Sequence, residues 1–423
     1  MRTHLTPRQA VEEILTHVKP LAPECIPLTE ARGRVLAQEV SSPIDLPPWD
    51  NSAMDGYAVR SADVRRRSGE AEEAGEAELK IVEEVRAGRF PTRRLGRGEC
   101  ARIATGAPIP EGADTVIRQE DCTRLDDGRV VINDLRDLRH NVRPKGEDIR
   151  RGERVFEPGM ALTPARLGVL ASLAYAEVFV QRRPKVAFLT SGDELADVDE
   201  TEAILSGRKI ASSNTYTILA LLEQAGAAAR NLGLARDDKD DLRRRFADLA
   251  VVDMVVTSAG MSVGEHDYLR DILEERGIEM KFWRVKMRPG APVGFGMIKA
   301  LPWIGLPGNP VSTMVTFELF VRPALRKMMG HAKLFRRAVP ARFAGEPVAL
   351  KAGLQHFLRV MVEPDGDGLA ARLTGPQGSG LLSSMAKADG LAIVAEGRTE
   401  LREGEELPVM LLEESFHQEK PPY

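Results

Sequence analysis

The sequence predicts a multidomain chain of α/β and β class, whose centre, residues 183–330, is a doubly wound sheet. Three observations carry that expectation. Beyond Arg182, β-rich apolar runs alternate with helix-period segments, and parallel strands require such crossovers. Within residues 252–310, three apolar segments end in sharp turns carrying glycine, proline or small hydroxyls: TSAGMSVGEHDY, MRPGAP and LPGNPVS. Turns of this kind at the carboxyl ends of parallel strands are where open α/β sheets bind anionic ligands. Finally, residues 79–160 and the chain after Gly330 carry short β-like runs broken by Gly, Pro and Asp, which places separate β-domains on either side.

Residues 6–18 read as an amphipathic helix, with Thr6 as N-cap, Pro7 in the first turn and Gln9 at the third position. A short helix is expected over Leu28–Leu36. The proline-rich stretch Ser42–Ser52 is extended, because each proline biases its predecessor away from the helical region. LKIVEEV, CARIATG, DTVIRQE and RVVIND are strands, and Arg65–Glu78 is a solvated surface excursion. Thr163 and Pro164 start a helix over 163–175. In the α/β region PKVAFLTSG, RNLGLA and VDMVVTSAG are strands. The intervening helices run Asn214–Ala225, closed by Gly226, then Lys239–Ala250 and Asp267–Arg276. Two more strands and a long helix from Pro310 to about Met329 follow. A small β-domain ends near Leu412, and the residues through Tyr423 form a frayed tail.

At 423 residues the chain is too long for a single core. Its 43% hydrophobic and 29% charged residues form an ordinary globular balance, and a net charge of −4 argues against general affinity for nucleic acid or anionic membranes. Cys25, Cys100 and Cys122 are widely spaced with no CxxC pair, which fits a reducing cytosol. The seven histidines form no HxxxH pair, so a transition-metal site is not expected. Arg2, His4, Arg8, Glu12 and Glu13 interrupt any signal-peptide core, and the apolar run Leu167–Val180 is short and contains Glu177. A cytoplasmic protein without a membrane segment is the expectation.

TSGDE follows the first α/β strand and puts Asp193 and Glu194 at the carboxyl edge of the sheet. Asp237 and Asp238 end the next strand there, and Asp267 adds a further acid. One reading makes Asp193 and Glu194 helix-capping groups. The other makes them ligands of a hard cation, since Mg²⁺ takes one or two carboxylates together with phosphate oxygens. Ser258, Gly260 and Ser262 of TSAGMSVGEHDY let backbone amides approach a ligand closely. In LPGNPVS, Pro307, Asn309 and Pro310 lead into a helix whose free N–H groups favour an oxyanion, although Asn309 can equally serve as a simple cap. Arg288 adds a permanent cation, with Lys286 two residues earlier on the same strand face. His266 beside Asp267 reads either as a general acid or base or as a surface loop histidine, no nucleophile emerges, and neither a GxGxxG nor a Walker motif is present. The residues point to a phosphate-bearing, metal-dependent ligand without naming it.

DNSAMDGYAVR at 50–60, RIATGAPIPEGADTVIRQED at 102–121, RPKGEDIRRGE at 143–153, SGDEL at 191–195, TSAGMSVGEHDY and LPGNPVS together resemble the molybdopterin molybdenumtransferases of the MoeA type. The C-terminal half of gephyrin is similar for the same reason. The resemblance spans nearly the whole chain and implies four parts. These are an elongated domain from 1–45 plus 145–182, a β-domain inserted over 46–144, the α/β molybdopterin-binding domain at 183–330, and a β-barrel over 331–423. It implies a homodimer whose active site lies between the α/β domain of one subunit and the β-insert of its partner. The implied reaction is Mg²⁺-dependent insertion of molybdate into adenylylated molybdopterin, with release of AMP.

On the matching positions, the functional acids are Asp55, Asp148, Glu194, Asp237 and Asp267, with Glu194 and Asp267 as metal ligands. Thr105 matches a functional threonine, and Pro307 and Pro310 match the paired prolines of the helix-entry turn. Arg359 and Ser379 match barrel positions that handle ligand or molybdate. Many relatives carry lysine at both cationic positions of the turn that here holds Arg288 and Ala291. Exchange with a molybdopterin adenylyltransferase and delivery to molybdoenzymes are implied partnerships. Rival readings are the adenylyltransferase itself, a non-catalytic molybdopterin-binding scaffold, and an enzyme using tungstate instead of molybdate.

Overall fold

A computed structural model describes residues 2–64, 77–247, 249, 251–258 and 268–412. The expected surface excursion, the turn holding Gly260, Ser262 and Asp267, and the expected tail lie wholly or mostly outside the described residues. The chain divides into two compact units: residues 1–37, 158–162 and 178–423 form one, and residues 38–157 and 163–177 the other.

The first unit is built on a seven-stranded sheet in the order Arg2–Leu5, Ile278–Val285, Gly294–Ile298, Leu301–Leu306, Met254–Ser258, Lys185–Ser191, Ala228–Ala235. Lys185–Ser191 pairs in parallel with Ala228–Ala235 and Met254–Ser258, and the latter in parallel with Leu301–Leu306. Alternate residues of one strand enter opposite cores. Val186 and Phe188 join the cluster containing Ile218, Leu222, Val311 and Val315, whereas Ala187 and Leu189 join Leu242, Ile272 and Trp303. Helices therefore cover both faces, and each fully buried large side chain contributes about 1.5–3 kcal/mol. Pro7–His17 starts with the expected capping box between Thr6 and Gln9 and packs Ala10 and Ile14 into the first of these cores.

Four elements differ from the sequence reading. Three strands of the large sheet, rather than two, lie within residues 278–306, each antiparallel to its neighbour. Two residues, Lys299 and Ala300, join the last pair, far too few for a crossover, and Gly294 and Gly296 weaken the strand signal of the middle segment. The long helix runs Pro310–Thr316 and Arg322–Met328 with a π-helical segment, Phe317–Val321, between. Pro323 has no N–H to give, so the regular ladder cannot pass through this stretch. The helix expected over Leu28–Leu36 shrinks to a 3₁₀ turn, Leu28–Glu30, because Val35 and Leu36 bridge to Ala161 and Val180. The helix from Lys239 ends at Arg245.

The expected barrel is present in the same unit. Gln355–Asp365 pairs with both Gly368–Leu373 and Gly390–Val394, Ala338–Phe343 with Gly368–Leu373 and Glu406–Leu411, and Gly390–Val394 with Glu406–Leu411. Five strands thus close on themselves around Phe343, Leu358, Val360 and Val409, which removes free edges. Met287–Arg288 adds a short parallel pairing to Gln355 and His356.

The second unit holds a six-stranded sheet ordered Thr115–Arg118, Gly56–Val59, Glu99–Ile103, Ala77–Val85, Arg129–Ile132, Cys122–Arg124. Its helix Pro164–Ser172 begins at Thr163, whose hydroxyl accepts the Arg166 N–H. No helix among the described residues is long and apolar enough to cross a membrane.

Candidate functional site

In the second unit, the strand Gly56–Val59 begins directly after Asp55. A side chain at Gly56 would put its Cβ 2.0 Å from the Ile117 carbonyl oxygen, so only glycine lets the strand start there. Asp55 is exposed, and its Oδ1 accepts two bonds from Thr105, 2.7 Å from the backbone N–H and 2.9 Å from the hydroxyl. The Thr105 backbone N–H, then its hydroxyl, hold the Asp55 carboxyl below the usual carboxylate range. A cavity of 440 Å³ opens beside it, lined by Asp55, Glu84, Arg86, Arg102 and Gln119. The two separate sequence readings for Asp55 and Thr105 thus become one built unit. Asp148 lies in an exposed turn anchored by its N–H on the Leu46 carbonyl, and its carboxylate makes no hydrogen bond or ion pair among the described residues.

In the first unit, parallel register aligns Ser191 with Ala235, Thr190 with Ser258, and Ser258 with Leu306, so the turns that follow leave one edge of the sheet. Leu195–Ala196 follows as a short strand paired with Ile210–Ala211. Asp193 and Glu194 therefore begin no helix, and the capping reading of this pair does not hold. Capping instead falls to Asp238, whose carboxylate accepts the N–H groups of Asp240 and Asp241. Asp237 stays clear of that duty, and its own N–H donates to Asp193 Oδ1 at 3.2 Å. Its surface is open to solvent, yet the protein atoms around the carboxyl desolvate it. That desolvation, with Asp193 and then Glu194, raises its pKa above the ordinary value. Asp237 is therefore held against the charge of Asp193 and Glu194.

Beside them lies a cavity of 340 Å³ whose wall includes Thr190, Glu194, Ser212, Asn214, Ser258 and Asn309. Asn214 organises it. Its Nδ2 donates to Ser258 Oγ at 2.8 Å and to the Gly308 carbonyl at 2.7 Å. The Ser258 hydroxyl reaches the Pro307 carbonyl at 3.3 Å, and Thr313 ties the same turn to its helix through the Pro307 and Asn309 carbonyls. Sequence reasoning treated Asn214 only as the start of a helix. The signal available was a polar amide opening an otherwise apolar helix, and its buried position explains it.

Pro310 opens the long helical run as expected, but the Asn309 side chain caps nothing; its Nδ2 donates to Ser379 Oγ at 3.2 Å, and Val311 N–H to the Ser379 carbonyl. Asn309 and Ser379, distant in sequence, are thereby brought together. Arg359 is fully buried: Nε meets Ser384, and the other nitrogens donate to the carbonyls of Pro376, Gln377 and Gly378. Burial lowers its pKa to about 10. In this arrangement Arg359 shapes the loop that carries Ser379. Arg288 is exposed, just ahead of Gly290, where a Cβ would meet Thr316 Cγ2 at 2.5 Å; the glycine lets the turn pack on the helix. Lys286 is engaged with Glu396 at 3.4 Å. The expected contributors Gly260, Ser262 and Asp267, with His266, lie outside the described residues.

Three family profiles match consecutive parts of the chain: the MoeA N-terminal region (domain I and II) over residues 5–174, a probable molybdopterin binding domain over 187–327, and the MoeA C-terminal region (domain IV) over 343–412. The chain is 35% identical over 408 residues to a molybdopterin molybdenumtransferase of Haemophilus influenzae, covering 96% of this chain and 98% of that one. It is 30% identical over 423 residues to one from Staphylococcus aureus, covering 99% and 98%. A solved molybdopterin biosynthesis MoeA protein of Pyrococcus horikoshii superposes with a TM-score of 0.82 at 28% identity, covering 96% of this chain and all of that one. A second structure of a MoeA protein from that organism gives 0.79 at 32% identity, covering 97% and 99%. With relatives 30–35% identical over nearly the full length, and all three regions matched in order, the chain belongs to the molybdopterin molybdenumtransferase family of the MoeA type.

Proposed function

We propose that this protein inserts molybdate into adenylylated molybdopterin in a Mg²⁺-dependent step that releases AMP. The observation that carries the reading is the meeting of Asp193, Glu194 and Asp237 with the Asn214–Ser258–Asn309 wall at the carboxyl ends of the sheet's parallel strands. The acids suit the cation, and the turns with the helix start suit phosphate.

No ready-made group of three metal-ligating side chains stands among the described residues. Asp237, however, has its pKa raised by desolvation and then by Asp193 and Glu194, and a cation would offset both effects. This fits Mg²⁺, which binds through one or two carboxylates plus substrate phosphate oxygens. Glu194, Asp237 and, from its place in the sequence, Asp267 would hold it. When bound, the ion supplies charge neutralisation on the phosphate anhydride. The protein's own part is positioning: Ser258 and Asn309 shape the phosphate-facing wall, Asn214 keeps that wall rigid, and no covalent residue is required.

The reading extends to a homodimer in which Asp55 and Thr105 of one copy serve the carboxyl-edge site of the other, with Asp148 and Arg288 at its margin. It also covers the four-part division at 1–45 with 145–182, 46–144, 183–330 and 331–423, a cytoplasmic location, and exchange with a molybdopterin adenylyltransferase and molybdoenzymes. Purified protein given adenylylated molybdopterin is expected to release AMP only when molybdate is added. Absence of release at saturating molybdate and Mg²⁺ would count against the proposal. ATP consumption with metal-free pterin and no molybdate would favour an adenylyltransferase instead.

A further inference from the structure

The amino ends of the same parallel strands meet a second cavity, of 580 Å³. Arg183 lies just before the strand Lys185–Ser191, and Gly226 just before Ala228–Ala235, so both stand at the edge opposite to Asp193 and Asp237. A seven-residue strand separates the two edges by roughly 20 Å. The two cavities share no lining residue.

Six arginines line this cavity: Arg32, Arg34, Arg183, Arg322, Arg326 and Arg336, and no Asp or Glu among the described residues does. Some are held in place by acids behind the wall. Arg322, 7% exposed, and Arg336 both pair with the buried Glu318, each at 2.6 Å, and Arg34 pairs with Glu24. Arg322 also donates to Gln224 Oε1 at 2.7 Å. One carboxylate thus fixes two guanidinium groups in orientation while neutralising only one charge. Arg32 and Arg183 are exposed at the lining, with no ion-pair partner among the described residues. Burial, then Arg326, holds His331 down at about 4, so it adds a neutral ring to the wall.

One polar atom is left over. Gln181 Oε1 is buried and has no hydrogen-bond partner among the described residues, although Gln181 lines the cavity. An amide oxygen without a donor in a wall of cations is costly to leave unmade, and a ligand hydroxyl would complete it. Guanidinium groups are suited to the forked recognition of phosphate, and the volume lies within the range of small-molecule sites.

We propose that this cavity binds a phosphate monoester of a hydroxyl-bearing small molecule, of the size of a sugar phosphate, at a site distinct from the carboxyl-edge site. The arginines take the phosphate, and Gln181 takes a hydroxyl.

Titration calorimetry on the intact protein, with ribose 5-phosphate, inorganic phosphate and ribose as probes, tests this. Ribose 5-phosphate is expected to bind about tenfold more tightly than inorganic phosphate, to weaken as salt is raised, and to leave ribose without measurable binding. The double substitution Arg32→Glu, Arg183→Glu should weaken that binding by at least about tenfold while molybdate-dependent turnover is unchanged. Should the double variant fold poorly, Arg32→Gln and Arg183→Gln separately are expected to weaken binding by about threefold each. No binding of the ester, equal affinity for inorganic phosphate, or binding indifferent to these substitutions would overturn the proposal.

Discussion

Asp55 and Asp237 sit in different units of the chain and have opposite electrostatics. Asp55 is wide open to solvent, and two bonds from one threonine hold its carboxyl low. Asp237 is desolvated by the protein around it and faces Asp193 and Glu194, and these outweigh the one backbone donor, from Asp193, and hold its carboxyl high. The first is a finished anion, oriented by the protein itself. The second is crowded by like charge, which the proposed cation would relieve. Residue type alone therefore does not assign a role; the donors around each carboxylate do.

The sharpest way to break this comparison is to remove one acid from each unit. Asp55→Ala and Glu194→Ala are each expected to lower molybdate-dependent AMP release by at least about 10²-fold, in keeping with the loss of a charged positioning group. If the two acids serve one site across a dimer, mixing the variants after subunit exchange leaves one intact site in each mixed dimer. Activity should then recover to about a quarter of wild type. Verified exchange with no recovery removes the shared site from consideration.

Arg359 tests the barrel side. Arg359→Met leaves the carbonyls of Pro376, Gln377 and Gly378 without their donors, and an expected loss of about 2–4 kcal/mol should be read from urea unfolding. An unchanged unfolding midpoint with a raised KM for molybdate would make Arg359 a ligand rather than the holder of the loop.

Thr105→Val removes the smaller of the two holds on Asp55 and keeps the backbone donor. The Asp55 carboxyl should rise toward its ordinary value. The acid limb of kcat/KM should accordingly move to higher pH, with a loss of no more than about tenfold at neutral pH. A profile that keeps its acid limb while activity falls would separate Asp55's ionisation from catalysis.

Much of the fold was legible because local signals agreed with tertiary packing. The Thr6–Gln9 cap, the Thr163 cap and the alternation that sends Phe188 and Leu189 to opposite faces are all written in short windows. Failures came where distant chain decides. Val35 and Leu36 leave helix for bridges to Ala161 and Val180, and Pro323 disturbs a helix whose apolar period continues through it. At the site, the acids of SGDEL could be placed at the sheet edge from the strand alone. Asn214 could not be found, because its importance lies in bonds to Ser258 and Gly308, 44 and 94 residues away. Nor could short-range pattern tell that Asn309 bonds Ser379 rather than capping its helix.

The smallest expected effect is also the one that separates a cation cluster from mere surface charge. The Asp237 pKa is raised in the folded protein, so between its unfolded and folded values the native state binds more protons than the unfolded state. Stability without metal should therefore fall as pH rises through that window and be lowest above it, the reverse of a salt-bridged aspartate. Asp237→Asn removes this penalty. Unfolding of the metal-free protein at neutral pH should be harder by less than about 1 kcal/mol, given how open the group is to solvent. The same substitution should lower the increase in stability that Mg²⁺ produces, since one carboxylate of the cluster no longer attracts it. A variant that is less stable without metal, yet responds to Mg²⁺ as wild type does, would show that Asp237 is held by contacts other than the acids it faces. The contrast with Asp55 would then collapse.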